Sequence, residues 1–168
     1  MRIDRRPSPW KGFLAGAIGG LAGSFAMSQF HALVLRNVPA NSEVSEVGKE
    51  DSTVRAASAI SRAAFRHELT AEEKKLAAPG MHYSFGAGMG AIYGTLAERM
   101  PPEHFGWGIP FGVAVWLSAH VIAVPALGLS EPVTRSEAGP EAAEFGGHLV
   151  YGAAAEILRR LLRNYLLQ

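Results

Sequence analysis

Four histidines and three glutamates lie in or at the edges of long apolar stretches of this chain. The histidines are His31, His82, His120 and His148, and the carboxylates are Glu98, Glu144 and Glu156. Ionisable groups in such stretches are expensive to bury and often serve a function. Neutral imidazole binds zinc, copper or haem iron, and imidazole together with carboxylate passes protons. Metal binding and proton transfer are therefore the chemistry to consider first.

Three interpretations of these residues stay open. The first is a site for a divalent metal or for haem b held by two histidines. The second is a path for protons or cations that combines the histidines with the carboxylates. The third is structural: the imidazoles hydrogen-bond neighbouring helices, and Glu98 and Glu156 are helix-end carboxylates. The partners of those carboxylates would then be the arginines nearby, Arg99, Arg159 or Arg160.

The stretches that position these side chains are long enough to cross a membrane. Residues 12–35 carry no charge and would form about 36 Å of helix, against a hydrocarbon core about 30 Å thick. Residues 80–97 and 105–130 are also uncharged. A fourth stretch around Glu156 reaches spanning length only if the arginines after it extend to the interface. A water-soluble bundle would show a polar stripe on each helix, and the first three stretches show none with charge.

The sequence therefore predicts an all-α fold, a four-transmembrane-helix bundle that forms a single membrane domain over residues 1–168. The predicted spans are 10–36, 80–99, 105–129 and 142–164. Residues 37–79 form a long loop outside the membrane, with amphipathic helices that lie on the membrane surface or against the bundle. Thr70 and Glu73 form a capping box that opens a separate short helix, AEEKKLAA.

The distribution of Lys and Arg predicts an orientation. Basic residues concentrate in the N-terminal arm, the 98–104 loop and the C-terminal turn, whereas those of the long loop are matched by acids. Cytoplasmic segments carry the excess of basic residues, so both termini are expected in the cytoplasm. His31, His82 and His148 would then share a level near the outer ends of their spans, with His120 about 6–10 Å deeper.

Small residues recur four positions apart on each predicted span, a pattern typical of tight contact between membrane helices. The glycines concerned are Gly12, Gly16, Gly20, Gly86, Gly90, Gly94, Gly108, Gly112 and Gly152. The spacing indicates close packing, but it leaves open whether the partner helix belongs to the same chain or to another copy.

A short motif, Y-G-x-x-A-E, occurs at residues 93–98 and again at 151–156. It predicts two helical hairpins in parallel orientation, spans one and two followed by spans three and four. Glu98 and Glu156 would occupy equivalent places. Chance similarity in a sequence rich in Ala and Gly is the alternative.

Composition excludes several functions. The net charge of +1 offers no basic face for nucleic acid, and the absence of Cys excludes disulfides and thiolate metal sites. The sequence contains no nucleophile elbow, phosphate loop, H-E-x-x-H or nucleotide fingerprint, so we do not expect an enzyme. The leading expectation is a structural or accessory subunit in the lipid bilayer that associates through packing of its glycines, either with itself as a homo-oligomer or within a larger membrane complex. A small transporter and a haem- or metal-binding protein are the alternatives.

Three stretches together resemble a known family. They are HELTAEEKKLAAPGMHYSFGAGMGAIYG, FGWGIPFGVAVWLSAHVIAVPALGL and HLVYGAAAEILRRLL, in that order along the chain. They look like the YagU-like family of small bacterial inner-membrane proteins. The resemblance implies a helical protein of the bacterial inner membrane, and it supplies no catalytic residues.

Overall fold

In a computed structural model of the chain, residues 7–36, 52–100, 106–129 and 138–166 are described. Within these ranges all regular secondary structure is helical and no strand occurs. The all-α class predicted from the sequence is confirmed for this part of the chain.

The described residues form six α-helices and three π-helical segments. The α-helices are α1 (Pro9–Arg36), α2 (Ser52–Ile60), α3 (Ala71–Ala97), α4 (Ile109–Val115), α5 (Val124–Ala126) and α6 (Ala138–Leu161). The π-helical segments are Ser61–Phe65, Trp116–Ala123 and Leu162–Leu166. The second of these joins α4 to α5, and we call the continuous helical stretch 109–126 the α4–α5 rod.

Helix α1 lies between α3 and α6 and runs antiparallel to both. Its Gly12 and Gly20 approach Gly94 and Gly86 of α3, and its Gly19 approaches Ala155 of α6. The α4–α5 rod packs on α6, and α2 packs on α3. One end of the bundle therefore holds the start of α1 with the ends of α3 and α6. The other holds the end of α1 with their beginnings.

The interior of the bundle contains mainly small and polar side chains. Ser24 is 1% exposed, Ala155 is 1% exposed and Glu156 is fully buried. A small apolar cluster of Met27, Val115 and Tyr151 fills the centre. Large apolar side chains face outward on every long helix, among them Phe13, Phe25, Ile92, Leu117, Ile122 and Ile157. This distribution is the reverse of that in a water-soluble protein.

Two helical stretches in the described ranges are long and apolar enough to cross a membrane, residues Pro9–Val34 and Gly106–Ala126. They correspond to the predicted spans 10–36 and 105–129. The other two predicted spans, 80–99 and 142–164, largely coincide with α3 and α6, which are helical but do not reach the same apolarity.

Helix α3 begins where the sequence predicted. The Glu73 N–H donates to the Thr70 hydroxyl at 3.3 Å, and the Thr70 N–H donates to the Glu73 carboxylate at 2.7 Å, so the capping box is confirmed. The prediction of a separate short helix before the span is wrong, because α3 runs through Pro79 without a break. Pro79 removes one hydrogen bond to the Lys75 carbonyl, and both residues are exposed, so water can replace it.

Candidate functional site

The backbones of α1 and α3 approach each other closely. A Cβ atom built on Gly16 would overlap the carbonyl oxygen of Gly90, and one built on Gly20 would overlap that of Gly86. A Cβ on Gly94 would lie 2.8 Å from the Cα of Gly16, a distance that real Cβ atoms essentially never show. These glycines are therefore in contact within a single chain, and no larger residue fits at their positions.

The α4–α5 rod meets α6 with the same geometry. A Cβ on Gly152 would lie 2.8 Å from the Cα of Gly112, as one on Gly94 does from the Cα of Gly16. A Cβ on Gly108 would lie 2.7 Å from the Cβ of Glu156, and one on Gly12 would overlap the side chain of Glu98. In both helix pairs, the glycine and the glutamate of the Y-G-x-x-A-E motif thus lie close to glycines of the neighbouring helical segment.

The carboxylate of Glu156 is fully buried and bound by two arginines. Arg159 donates from Nε to Oε2 at 2.6 Å and from Nη2 to Oε1 at 2.9 Å, and Arg160 Nε also donates to Oε1. The Arg160 guanidinium also lies 5.3 Å from the centre of the Trp107 ring. A buried carboxylate with this many charge-assisted hydrogen bonds is held in place as an anion.

Glu98 is paired across the bundle rather than along its own helix. Arg163, in the π-helical segment after α6, donates to both of its oxygens at 2.6 and 2.7 Å. The backbone N–H of Ser8 donates to it at 2.9 Å. Arg99, the neighbour considered from the sequence, is exposed. Arg163 was missed because its contact joins residues far apart in the chain.

An aromatic layer separates this charged end from the centre of the bundle. The rings of Tyr93 and Phe111 stack at 4.0 Å, and the ring of Tyr151 lies 5.5 Å from that of Phe111. The Tyr151 hydroxyl donates to the Gly86 carbonyl at 2.7 Å and so links α6 to α3. The repeated motif singled out both tyrosines, but nothing in it pointed to Phe111.

Two of the histidines hold helices together through backbone carbonyls. His82 Nε2 donates to the Ser24 carbonyl at 3.2 Å, which ties α3 to α1. His31 Nε2 donates to the Ala143 carbonyl at 3.3 Å and lies 3.8 Å from the Glu144 carboxylate, which ties α1 to α6. These contacts match the structural interpretation of the histidines.

The other two histidines form a polar cluster at the same end. His120 Nε2 lies 3.1 Å from the Glu141 carboxylate, and its ring centre is 6.1 Å from that of His148. His148 Nδ1 donates to the Glu144 carbonyl at 2.8 Å. His120 was expected deeper than the rest, but it contacts Glu141 in the first turn of α6. The α4–α5 rod, which contains His120, ends at Ala126, whereas the uncharged stretch in the sequence continues to residue 130. His120 is therefore nearer the end of its helix than predicted.

This cluster has the groups needed to hold and exchange protons, since it contains imidazoles next to carboxylates. We name it the His–Glu cluster, and its members are His31, His120, His148, Glu141 and Glu144. Sequence reasoning missed Glu141, because it stands just before the predicted span. Among the described residues no group of three or more His, Cys, Asp or Glu is arranged to hold a metal ion.

Comparison with known proteins identifies the family and nothing about its chemistry. No curated protein and no solved structure matches the chain significantly. The model of the DUF1440 family, described as proteins of unknown function, matches residues 58–157, more than half of the 168 residues. The match includes all of α3, the α4–α5 rod and the greater part of α6, and with them Glu98, Glu156 and the aromatic layer. On this match the chain belongs to the DUF1440 family.

Proposed function

We propose that the chain is an integral membrane bundle that acts as a structural or accessory subunit, associated with copies of itself or with a larger membrane complex. The proposed membrane location is supported mainly by the exposure of the most apolar helix of the chain. The most apolar 18 residues of Gly106–Ala126 have a mean hydropathy of 1.7, yet only 11% of them are buried within the chain. Apolar surface of this extent is unfavourable in water by about 25 cal/mol for each Å² and is stable in lipid.

The same argument supports four spans. Helix α3 exposes Phe85, Ile92 and Leu96, and α6 exposes Ile157 and Leu161, so both have apolar outer faces. Near the C-terminal ends of these helices Glu98 pairs with Arg163 and Glu156 pairs with Arg159, all with buried side chains, as expected for ionisable groups at membrane depth. The resemblance to the YagU-like family favours the bacterial inner membrane, and the basic residues favour both termini in the cytoplasm.

The nine glycines of the spaced pattern, which the sequence suggested as the surface for association, are already in contact within the chain and so do not supply it. The α4–α5 rod offers a better surface. It rests on α6 through Gly108 and Gly112, whereas α1 has such contacts on two sides. Its outward residues Leu117 and Ile122 are 44% and 62% exposed. We therefore place the contact with a second membrane protein on the outer side of this rod.

Single-cysteine crosslinking tests this proposal, because the chain has no native Cys. Ile122→Cys places a thiol on the rod, and Phe25→Cys places one on the outer face of α1 with similar exposure, 62% against 56%. In native membranes treated with a short bismaleimide, we expect a crosslinked species for Ile122→Cys and little for Phe25→Cys. The size of that species distinguishes a second copy from another protein. Monomer alone in both variants, together with monomer alone in native mass spectrometry, would contradict the proposal.

The His–Glu cluster favours a second candidate, a path for protons. The 3.1 Å contact between His120 and Glu141 and the 6.1 Å separation of the His120 and His148 rings are the observations behind it. In proteoliposomes with an internal pH dye, Glu141→Gln should slow proton entry by about tenfold or more. His67→Gln, which removes an exposed His–Glu pair, serves as the control. No proton flux with the unaltered protein would exclude this candidate.

A haem or metal site is the weakest of the three proposals. The histidines that would supply it are occupied by the carbonyl and carboxylate contacts described above. Purified protein with neither a Soret band nor stoichiometric metal would exclude a haem or metal site.

A further inference from the structure

A pocket of about 400 Å³ lies beside the bundle, apart from both the charged end and the His–Glu cluster. Helix α2 and the turn that follows it form one wall, and Lys74 in the first turns of α3 forms another. The residues after α5, Leu127, Gly128 and Leu129, close the far side. The volume is within the range of sites that bind small molecules.

The lining of this pocket is basic. Three cations contribute to it, Arg55, Arg62 and Lys74, against a single acid, Glu68, so its formal charge is 3 − 1 = +2. The Arg55 guanidinium donates from Nη1 to the Leu129 carbonyl at 3.3 Å, which fixes it in the wall. A guanidinium has five N–H donors, so most of those of Arg55 can still bind a ligand.

Ser58 provides the second, independent observation. It lines the same pocket and is only 8% exposed. Its hydroxyl oxygen is buried and has no hydrogen-bond partner in the part of the chain that the structure describes. Buried hydroxyls are nearly always paired, because water cannot replace the missing bond. A ligand in the pocket would supply that partner.

We propose that this pocket binds a phosphate group, carried by a lipid headgroup or by a small soluble molecule. The phosphate of a phospholipid headgroup, a diester, carries one negative charge and a phosphate monoester carries close to two, so either is attracted by a lining of formal charge +2. The oxygens of both accept hydrogen bonds from arginine, lysine and serine. Glu68 suits a ligand with a hydroxyl or ammonium group next to the phosphate, because an isolated anion would gain nothing from it. The proposal is independent of the association surface on the α4–α5 rod.

The experiment uses the full chain purified in mild detergent. Binding of inorganic phosphate and of glycerol 3-phosphate is measured by isothermal titration calorimetry, and retained phospholipid by native mass spectrometry. We expect glycerol 3-phosphate to bind more tightly than inorganic phosphate, because it also carries hydroxyl groups. Phospholipid retained by the unaltered protein and lost in the Lys74 variant below would identify a lipid headgroup as the source of the phosphate. Binding of the soluble probe without retained lipid would identify a small molecule.

Adjacent lysines give a matched pair of variants. Lys74→Gln removes a cation of the lining and should weaken binding by about tenfold or more. Lys75→Gln removes a cation one residue away that pairs with Glu72 at 2.8 Å outside the pocket, and it should leave binding unchanged. Equal weakening by both variants would overturn the proposal, since it would indicate diffuse attraction to charge.

Ser58→Ala separates ligand binding from folding. Removal of an unpartnered hydroxyl should leave the melting temperature of the ligand-free protein unchanged or raise it. The same change should weaken binding of glycerol 3-phosphate by about three- to tenfold if the hydroxyl donates to the ligand. Unchanged binding in this variant, or no binding of either probe together with no retained phospholipid in the unaltered protein, would overturn the assignment.

Discussion

The Arg163 guanidinium donates two hydrogen bonds, at 2.6 and 2.7 Å, to the Glu98 carboxylate that stands 65 residues earlier in the chain. The Ser8 N–H donates to the same carboxylate. One buried anion therefore joins the segment before α1, the end of α3 and the end of α6. Glu156 is a second buried anion, and it pairs with two arginines of its own helix, Arg159 and Arg160.

Loss of the Glu98–Arg163 pair should destabilise the bundle strongly. Both side chains are 7% exposed, so Glu98→Gln leaves a buried cation without its anion, at a cost of about 3 kcal/mol. Thermal unfolding in detergent, followed by circular dichroism, measures the change. Glu72→Gln breaks the exposed pair with Lys75 and should change stability by less than about 0.5 kcal/mol. Similar effects of the two variants would show that the buried pair has no special role.

A methyl group between α1 and α3 should separate the two helices. The Cβ of Gly16→Ala would overlap the Gly90 carbonyl oxygen, and we expect a destabilisation of about 1–3 kcal/mol. Gly88 is the matched control, because a Cβ there has open space around it. Gly88→Ala should be neutral or should stabilise α3 by up to about 1 kcal/mol. Thermal unfolding in detergent measures the stability of both variants. Equal changes in stability would contradict the close packing of α1 on α3.

The stability of the first turn of α3 should fall at acidic pH, when Glu73 becomes protonated. Hydrogen bonds from the Thr70 N–H, His67 and the Thr70 hydroxyl, in that order, lower the pKa of this carboxyl from 4.5 to about 2. A depressed pKa means that the cap stabilises the helix above about pH 4.5 and that this stabilisation is lost as pH falls toward 2. His67→Gln removes the second of these hydrogen bonds and should raise the pKa of Glu73, whereas Thr70→Ala keeps the backbone N–H and should raise it less. Carbon-detected NMR titration of Glu73 reports these pKa values, and an unshifted pKa in the unaltered protein would contradict the capping box.

The two ends of the bundle should face opposite sides of the membrane. Lys75→Cys puts a thiol near the start of α3, and Met100→Cys puts one just after its end. With both termini in the cytoplasm, an impermeant maleimide added to intact cells should label Lys75→Cys only. Both variants should react after detergent is added. Labelling of Met100→Cys alone in intact cells would reverse the orientation, and labelling of both would mean that α3 does not cross.

Much of the local structure could be predicted, because it depends on residues close together in the chain. The run 12–35 lies within α1, and the capping box marks the first residue of α3. The predicted short helix AEEKKLAA stops at residue 78, just before Pro79, where a proline would normally end a helix. Near the start of α3 it removes only one exposed hydrogen bond, and the helix continues.

The partners of the candidate residues could not be predicted in the same way. Arg99 follows Glu98 directly, and adjacent residues on a helix do not face each other. Arg163 reaches Glu98 only because α6 ends beside α3. His120 meets Glu141 for a similar reason, since the α4–α5 rod packs along the first turns of α6.

The sequence by itself determined the helical class, the apolar stretches and the spacing of the glycines, because periodicity, capping and charge act over a few residues. Only the tertiary structure decided which helix each glycine meets, which arginine neutralises Glu98, and that Ser58 is buried beside Arg55 and Lys74. Those relationships depend on the rotation and offset of whole helices about one another. Packing of the entire bundle sets these quantities, and no short stretch of sequence encodes them.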